Sequence, residues 1–308
     1  YDRSGYVRHA QGFTTSDLDV DLSGRHWVVT GANSGIGWAT AKALAERGAH
    51  VTLICRSEPR AADAVEQIKA NHGEASLAVI IADLAVLSDV RSACRALVGP
   101  IHGIVFNAGN MVHRYQTTPE GFEVITALHV IGPLAMAQAL EAQLIAGARE
   151  CPVRCIFVAS GGMYTQRISQ QALEPGSTGY DGTVHYARTK RGQVVLAEYL
   201  HAQLSQSGIS VHAMHPGWVD TPAVRRAMPV FYRMTQPILR RPSQGADTVI
   251  WLCCAATGEI DRASGFWFDR QRVPTHAFRR TDNDQDDKAA FIDRLLSRLE
   301  ATVSSIAT

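Results

Sequence analysis

The sequence has no long apolar run and almost no excess charge. None of its 308 residues belongs to an uninterrupted apolar stretch of about 18 residues, so no transmembrane helix is predicted. The formal net charge is +1, which gives no electrostatic case for a nucleic-acid partner. The first residues also lack the charged and then apolar pattern of a secretory signal.

The cysteines lack any spacing that is typical of a zinc site or a redox motif. There are six, and none forms a Cys-x-x-Cys or Cys/His pattern, so no metal is expected. Cys55 and Cys155 lie in apolar, strand-like runs, and Cys253 and Cys254 are adjacent in a predicted helix. We interpret them as buried free thiols and therefore expect a cytoplasmic location, with peripheral membrane association left open.

Strands alternate with helices along most of the chain. The predicted strands cover about residues 26–30, 50–55, 77–82, 101–106, 153–159, 209–214 and 265–268. This alternation predicts an α/β fold with one Rossmann-type doubly wound parallel sheet of about seven strands, flanked by helices. The strands are apolar almost throughout, as expected for a sheet that is covered on both faces.

Three segments are predicted, an N-terminal arm (1–24), the Rossmann-type domain (25–275) and a C-terminal segment (276–308). The last begins with several aspartates and continues as an amphipathic helix. Acidic residues at a helix start suit the helix dipole. The apolar face of this helix suits either docking on its own domain or a contact with a partner.

A glycine-rich turn follows the first strand. Gly31, Gly35 and Gly37 lie between that strand and a helical stretch, which is the context of a dinucleotide-binding loop. Glycines let the backbone approach a pyrophosphate, which binds the free N–H groups of the helix start. The second strand ends at Arg56, and the first acidic residue is delayed to Glu58. This order favours NADP(H), while NAD(H) remains possible.

Tyr186 and Lys190 are four residues apart in a predicted helix, so they share one face. A neighbouring ammonium favours the ionised form of a phenol, which otherwise has a pKa near ~10. Such a pair suits proton transfer at neutral pH, although this spacing alone also arises by chance.

Five motifs occur in a fixed order and resemble the short-chain dehydrogenase/reductase family, in its classical branch. They are Thr30 to Gly37, Asn107-Ala108-Gly109, Ser160, Tyr186 with Lys190, and Pro216-Gly217 with Thr221. The resemblance covers about residues 24–270. A narrower resemblance, to one subgroup, rests on residues 160–163, 181–183, 214–218 and 221–229.

The resemblance implies hydride transfer between a nicotinamide cofactor and a carbonyl or alcohol carbon. Tyr186 is then the proton donor or acceptor, Ser160 binds the substrate oxygen, and Lys190 lowers the pKa of Tyr186 and binds the ribose. The residues expected at the cofactor are Gly31, Asn33, Ser34, Gly35, Ile36, Gly37, Arg56, Asp83, Leu84, Asn107, Ala108, Gly109, Tyr186, Lys190, Pro216, Gly217, Val219 and Thr221.

One position departs from the family pattern. A long helical segment is predicted over about residues 119–148, with a kink at Pro133, and in it His129 occupies the place of the family's catalytic Asn. In the family, the main-chain carbonyl at this position holds a water that joins the lysine to solvent. Proline has no N–H, so Pro133 should free the carbonyl of His129 and preserve this relay. In the alternative, His129 only packs and the relay is impaired.

The segment between Thr221 and Pro242, here called the lid segment, mixes apolar residues with arginines. Its apolar residues favour a lipophilic carbonyl or alcohol substrate, and its arginines suit an anionic group or an amphipathic surface. Two other functions stay open, a cofactor-binding sensor or scaffold without turnover and an epimerase or dehydratase on the same fold. The resemblance also implies a homo-oligomer.

Overall fold

A single twisted sheet forms the centre of the protein in the computed structural model, which describes residues 1–256 and 258–307. The strand order is β3-β2-β1-β4-β5-β6-β7-β8, with β1 to β7 parallel and β8 antiparallel to β7. The strands are β1 (His26–Thr30), β2 (His50–Cys55), β3 (Leu77–Ile81), β4 (Gly103–Phe106), β5 (Val153–Val158), β6 (Ile209–Met214), β7 (Phe266–Phe268) and β8 (Gln271–Arg272). The predicted parallel, doubly wound sheet is confirmed, and the two-residue β8 is an additional edge strand.

Helices cover both faces of the sheet. They are α1 (Arg3–Ala10), α2 (Gly35–Ala45), α3 (Glu58–Asn71), α4 (Leu87–Ala96), α5 (Val124–Thr126), α6 (Gly132–Ala139), α7 (Glu141–Ala148), α8 (Gly182–Leu204), α9 (Pro222–Ala227), α10 (Pro229–Thr235), α11 (Pro242–Cys254), α12 (Glu259–Arg262) and α13 (Gln285–Ala307). One apolar core lies beneath α4, α6, α8 and α13, and the other lies beneath α2, α3 and α11. Burial on two faces explains why the strands read as continuous apolar runs.

The helix predicted over residues 119–148 is interrupted. A π-helical turn over Ala127–Ile131 separates α5 from α6, and α7 follows at an angle of 61°. In this turn the N–H of Gly132 donates to the carbonyl of Ala127, five residues back. Pro133 comes next and has no N–H, so the usual bonding pattern cannot continue there. The predicted helical segment therefore begins later than expected, at Val124. Its hydrogen-bond pattern is interrupted just before Pro133, where a kink was expected, whereas the bend of 61° lies at Leu140.

No single helix among the described residues is both long and apolar enough to span a bilayer. Only the bent pair formed by Val124–Ala139 and Glu141–Ala148 reaches that length and apolarity together. Much of this pair is buried in the protein core.

The two ends of the chain are folded onto the sheet domain. The N-terminal arm, predicted without regular structure, contains α1. On α13, the side chains of Phe291, Leu295 and Leu299 belong to the larger of the two cores, the one beneath α4, α6 and α8. Phe291 packs against Gly192 of α8. Of the two alternatives for the C-terminal helix, the structure has the one in which it docks on its own domain.

All six cysteines are free thiols, and five of them are buried. The buried ones are Cys55 in β2, Cys94 in α4, Cys155 in β5, and Cys253 and Cys254 in α11. Burial raises the pKa of Cys55 and Cys94 to about 11 and that of Cys155 to about 12. These positions agree with the interpretation of the cysteines as buried thiols.

Candidate active site

Apart from His129, which belongs to the π-helical turn, the predicted site residues lie at the carboxyl edge of the sheet or on α8 beside it. Gly31 to Gly37 follow β1, Arg56 follows β2, Asp83 and Leu84 follow β3, Asn107 to Gly109 follow β4, Ser160 follows β5, and Pro216 to Thr221 follow β6. In a parallel sheet these strand ends meet, and ligands bind at the crevice between them. The structure therefore brings together the residues that the sequence analysis selected from distant parts of the chain.

The turn after β1 needs its glycines. Gly31 and Gly35 have φ angles of +65° and +58°, a region that other residues rarely adopt. A Cβ atom on Gly37 would lie 2.4 Å from Nδ2 of Asn107. The turn and the start of α2 thus lack side chains at residues 31, 35 and 37, which fits the approach of a pyrophosphate to the helix N-terminus.

Asn107 holds this turn against the end of β4. Its Nδ2 donates to the carbonyl oxygens of Thr30 at 2.8 Å and Gly31 at 3.2 Å. In the opposite direction, the hydroxyl of Thr30 accepts from the main-chain N–H groups of Asn107 and Ala108, each at 2.9 Å. These bonds fix the distance between the two loops that form the floor of the crevice.

Arg56 and Asp83 meet at the ends of β2 and β3. Nη1 of Arg56 lies 3.4 Å from Oδ2 of Asp83, and the arginine side chain is 64% exposed. Oδ1 of Asp83 accepts from the main-chain N–H of Ala85 at 3.0 Å, which orients the carboxylate. The guanidinium remains accessible to an anionic group at this edge.

Tyr186 on α8 and Ser160 at the end of β5 are close enough for the serine hydroxyl to influence the pKa of the phenol. The hydroxyl of Ser160 also accepts from the N–H of Gly162 at 3.2 Å, which fixes it at the end of β5. Burial raises the pKa of Tyr186 above its ordinary value, and the neighbouring Ser160 hydroxyl offsets part of that rise. The sequence-based expectation of a lowered pKa is not met in this structure, because the cost of burying a phenolate dominates.

Lys190 is deeply buried, one turn after Tyr186 on α8. Its side chain is 3% exposed, and its Nζ lies 5.6 Å from the centre of the Tyr186 ring. The ammonium donates to the carbonyl of Val158 at 2.8 Å and to Oε1 of Gln193 at 3.0 Å. Burial lowers the pKa of Lys190 to about 7, because both acceptors are neutral.

His129 lies in the π-helical turn beside this pair. Its Nε2 accepts from the N–H of Asn110 at 3.3 Å, so Nδ1 carries the proton and donates to the Thr189 hydroxyl at 2.8 Å. Burial lowers the pKa of His129 well below its usual range, which keeps the ring neutral. Its carbonyl accepts from Nε2 of Gln193 at 3.0 Å, whereas Pro133, four residues later, has no N–H to offer.

The loop after β6 is held by a buried arginine of the lid segment. Arg240 pairs with Asp269, with Nη2 2.8 Å from Oδ2, and both side chains are buried. Its Nη1 donates to the carbonyl of Pro216 at 3.3 Å. The N-terminal arm crosses the same loop so closely that a Cβ on Gly217 would lie 2.5 Å from the carbonyl of Tyr1.

Thr221 and Val219 complete this side of the crevice. The hydroxyl of Thr221 accepts from the N–H of Val224 and so caps α9, while its methyl group faces Gly35 across the crevice. Val219 is buried against Gly245 of α11. The lid segment is therefore anchored next to the glycine turn.

Sequence reasoning missed Gln193, Thr189 and Arg240 as parts of this site. Gln193 follows Lys190 by three residues, so the helical spacing alone gives a signal that the two side chains are neighbours. Thr189 contacts His129, which is 60 residues away in the chain. Arg240 belongs to a run of arginines in the lid segment, and its composition does not distinguish a buried guanidinium from a solvated one.

A family profile and a search of known proteins point to the same family. The family profile described as short chain dehydrogenase matches residues 25–229. Human dehydrogenase/reductase SDR family member 12 is 37% identical over 283 residues, which cover 90% of this chain and 86% of that protein. This match confirms the subgroup to which the narrower resemblance pointed.

Two solved structures illustrate the fold with a cofactor. The 3-ketoacyl-(acyl-carrier-protein) reductase from Brucella melitensis, complexed with NADH, has a TM-score of 0.62 and 26% identity and covers 80% of this chain and 96% of its own. The RhlG/NADP active-site complex from Pseudomonas aeruginosa has a TM-score of 0.65 and 23% identity, with coverages of 80% and 95%. The second likeness is evidence for the fold alone.

Proposed function

Because this chain belongs to the short-chain dehydrogenase family and is an NAD(P)-dependent dehydrogenase or reductase, we propose that it interconverts a lipophilic carbonyl and its alcohol with NADP(H). The observation that carries the proposal is the convergence of Ser160 at the end of β5, Tyr186 and Lys190 on α8, and the glycine turn at the same edge of the sheet.

The cofactor supplies or accepts the hydride when it is bound. The Ser160 hydroxyl, held by the N–H of Gly162, is placed to donate to the substrate oxygen and stabilise its developing charge. Tyr186 donates its phenolic proton to that oxygen in reduction and removes a proton from the alcohol in oxidation. Lys190, held at Val158, presents its ammonium on the Tyr186 side of α8 and is placed to bind the ribose hydroxyls.

Arg56 supports the choice of NADP(H). Its guanidinium is exposed and lies beside Asp83, at the strand end where dinucleotide folds recognise the ribose 2′ position. Arg56→Met should raise the KM for NADPH by about tenfold or more, since a charge-assisted contact to phosphate is lost. The KM for NADH should change little. An equal effect on both cofactors would contradict the assignment.

The lid segment supports a lipophilic substrate. Val230 and Met234 of α10 are 61% and 78% exposed, and Phe231 packs edge-on against Trp218 of the loop after β6. Apolar side chains at the mouth of a crevice favour ligands that are themselves apolar. Medium-chain and aromatic ketones should therefore be reduced with a higher kcat/KM than short hydrophilic ones.

A cofactor-binding sensor without turnover is the second candidate. It is favoured by one observation, namely that the carbonyl of His129 is occupied by Gln193. NADPH oxidation with a panel of ketones and aldehydes separates the two candidates. Tight NADPH binding without turnover on any member of the panel would favour the sensor.

The location and assembly follow from the thiols and from the family resemblance. The buried free thiols support a reducing, cytoplasmic setting. The family resemblance supports a homo-oligomer. Because α13 covers Gly192 of α8, we propose that subunits meet through another face. Light scattering of the purified chain measures the mass of the assembly.

Tyr186→Phe is the direct test of the mechanism. The phenyl ring keeps the shape of the site but removes the proton, so turnover should fall by at least about 100-fold. The Kd for NADPH and the melting temperature should remain close to those of the unmodified chain. Substantial residual turnover would remove Tyr186 from the mechanism.

A further inference from the structure

We propose that Gln193 is the positioning residue of this site, which holds the Lys190 ammonium in place by tying it to the main chain of His129. The proposal rests on the function proposed above, in which Lys190 assists Tyr186. Gln193 is fully buried on α8 and lies one turn beyond Lys190.

The amide of Gln193 is used at both ends. Its Oε1 accepts from Nζ of Lys190 at 3.0 Å, and its Nε2 donates to the carbonyl of His129 at 3.0 Å. An ammonium only donates and a carbonyl only accepts, so one orientation of the amide satisfies both partners. A flipped amide would leave two donors facing each other and two acceptors facing each other.

The main-chain carbonyl of His129 can accept this bond because the helix is interrupted at that point. In a regular helix the N–H four residues later would bind this carbonyl, and here that residue is Pro133. The π-helical turn Ala127–Ile131 redirects the neighbouring bonds, with Gly132 donating to Ala127. The interruption of the helix therefore leaves the His129 carbonyl free to accept a hydrogen bond from the Gln193 amide.

Few other groups reach the ammonium. On α8 the titratable Tyr186 lies 5.6 Å away, from ring centre to Nζ. The π-helical turn contributes the neutral ring of His129, and β5 contributes the carbonyl of Val158 at 2.8 Å. The loop after β4 contributes the backbone of Gly109, where a Cβ would lie 3.4 Å from Nζ.

Among the residues that the structure describes, no carboxylate pairs with Lys190, so the two oxygen acceptors carry the solvation of its charge. A hydrogen bond from an ammonium to a neutral oxygen is worth enough to shift a protonation equilibrium about tenfold, or about one pH unit. Gln193 therefore controls how much of Lys190 is charged at neutral pH.

The test follows the ionisation of Lys190 directly. The chain has only four lysines, Lys42, Lys69, Lys190 and Lys288, so the side-chain ¹³Cε and ¹⁵Nζ signals of labelled protein are few. Their pH titration reports each lysine without any need for turnover. Loss of one signal in Lys190→Met assigns it.

Two substitutions of similar size should act in opposite directions. Gln193→Leu removes the acceptor and should lower the pKa of Lys190 by about one unit. Gln193→Glu places a carboxylate beside the ammonium and should raise it by at least about one unit. Val195→Ala is the control, because this buried residue of α8 is apolar and should leave the titration unchanged.

Pro133→Ala tests the anchor without altering Gln193. It supplies an N–H that competes for the His129 carbonyl, so it should shift the pKa of Lys190 in the direction of Gln193→Leu, by less. The proposal would be overturned if the pKa of Lys190 shifted in the same direction in Gln193→Leu and Gln193→Glu, or if it shifted in neither variant. If one variant does not fold, the other variant and Pro133→Ala decide.

The pH profile of kcat separates this proposal from the proposed function. If the pKa of Lys190 and the alkaline limb of the kcat profile shift together, the role of Gln193 and the proposed function are both supported. Where the titration shifts and the limb does not, the amide positions Lys190 but the assistance to Tyr186 is wrong.

Discussion

At the scale of single residues, the spacing of Tyr186 and Lys190 predicts their common face but not their electrostatics. The sequence predicts that the ammonium lowers the pKa of Tyr186, whereas burial raises it in the structure. Burial also brings the pKa of Lys190 to about 7. The degree of burial depends on β5, the π-helical turn and α8 together, so it cannot be predicted from a local sequence pattern.

The lowered pKa of Lys190 makes a prediction for stability. The ordinary value is 10.5 and the folded value is about 7, so the unfolded chain binds more protons between these limits. The free energy of unfolding should therefore rise with pH across this window. Between pH 7 and pH 9, we expect the unmodified chain to gain about 2 kcal/mol relative to Lys190→Met.

Urea titrations of the chain without cofactor at several pH values measure this difference. Lys69→Met is the matched control, because Lys69 is exposed on α3 and its loss should leave the slope unchanged. Parallel curves for the unmodified chain and Lys190→Met would show that the lysine is not buried as described.

At the scale of elements, sequence patterns predict the strands well and the breaks in helices poorly. β1, β2 and β5 are buried on both faces, which forces a continuous apolar run that is visible in the sequence. The interruption before α6 is different, because the residues from α5 to α7 are mostly apolar and predict one helical segment. Pro133 signals the defect, but its π-helical form depends on packing.

The docking of α13 makes a prediction for its two faces. Leu295 is fully buried in the larger core, so Leu295→Ala should lower the free energy of unfolding by about 3 kcal/mol. Arg294, the preceding residue, is exposed and lies 2.9 Å from Glu174, so Arg294→Ala should cost less than about 1 kcal/mol.

Chemical denaturation of the two α13 variants gives both values. Alanine suits a helix at either position, so propensity does not blur the comparison. Equal costs would mean that α13 does not pack on α8 in solution.

At the scale of the whole molecule, the predicted arm, domain and C-terminal segment share one body. The sequence marks the boundaries through changes in composition, but it does not show that both ends cover the domain. Tyr1 stacks near His215, with ring centres 5.0 Å apart, and the arm reaches the lid segment through the N–H of Arg3, which donates to Ile238. These contacts are nonlocal, so periodicity in either segment cannot reveal them.

Arg240 is the residue that joins these parts. It binds Asp269, the carbonyl of Asp2 in the arm and the carbonyl of Pro216. Arg240→Met leaves the buried Asp269 carboxylate with only the partly exposed His9 as a partner and should cost about 3 kcal/mol of stability. NADPH affinity should fall as well, because the loop after β6 loses its tie.

Arg225→Met provides the comparison for Arg240→Met. Arg225 also pairs with an aspartate, Asp220, but its guanidinium is 54% exposed and Asp220 is only half-buried, so the cost should stay below about 1 kcal/mol. Thermal melts and NADPH titrations of both variants measure the contrast. A similar cost for both would contradict the central position of Arg240.

The five buried thiols can report local unfolding of the elements that contain them. Each is protonated at neutral pH and shielded from reagents, so a thiol-reactive dye modifies it only when its element separates from the core. Cys94 lies in an outer helix, Cys155 in a central strand and Cys254 at the end of α11. The order in which these sulfurs are labelled would rank the elements by the free energy of their fluctuations, without any engineered probe.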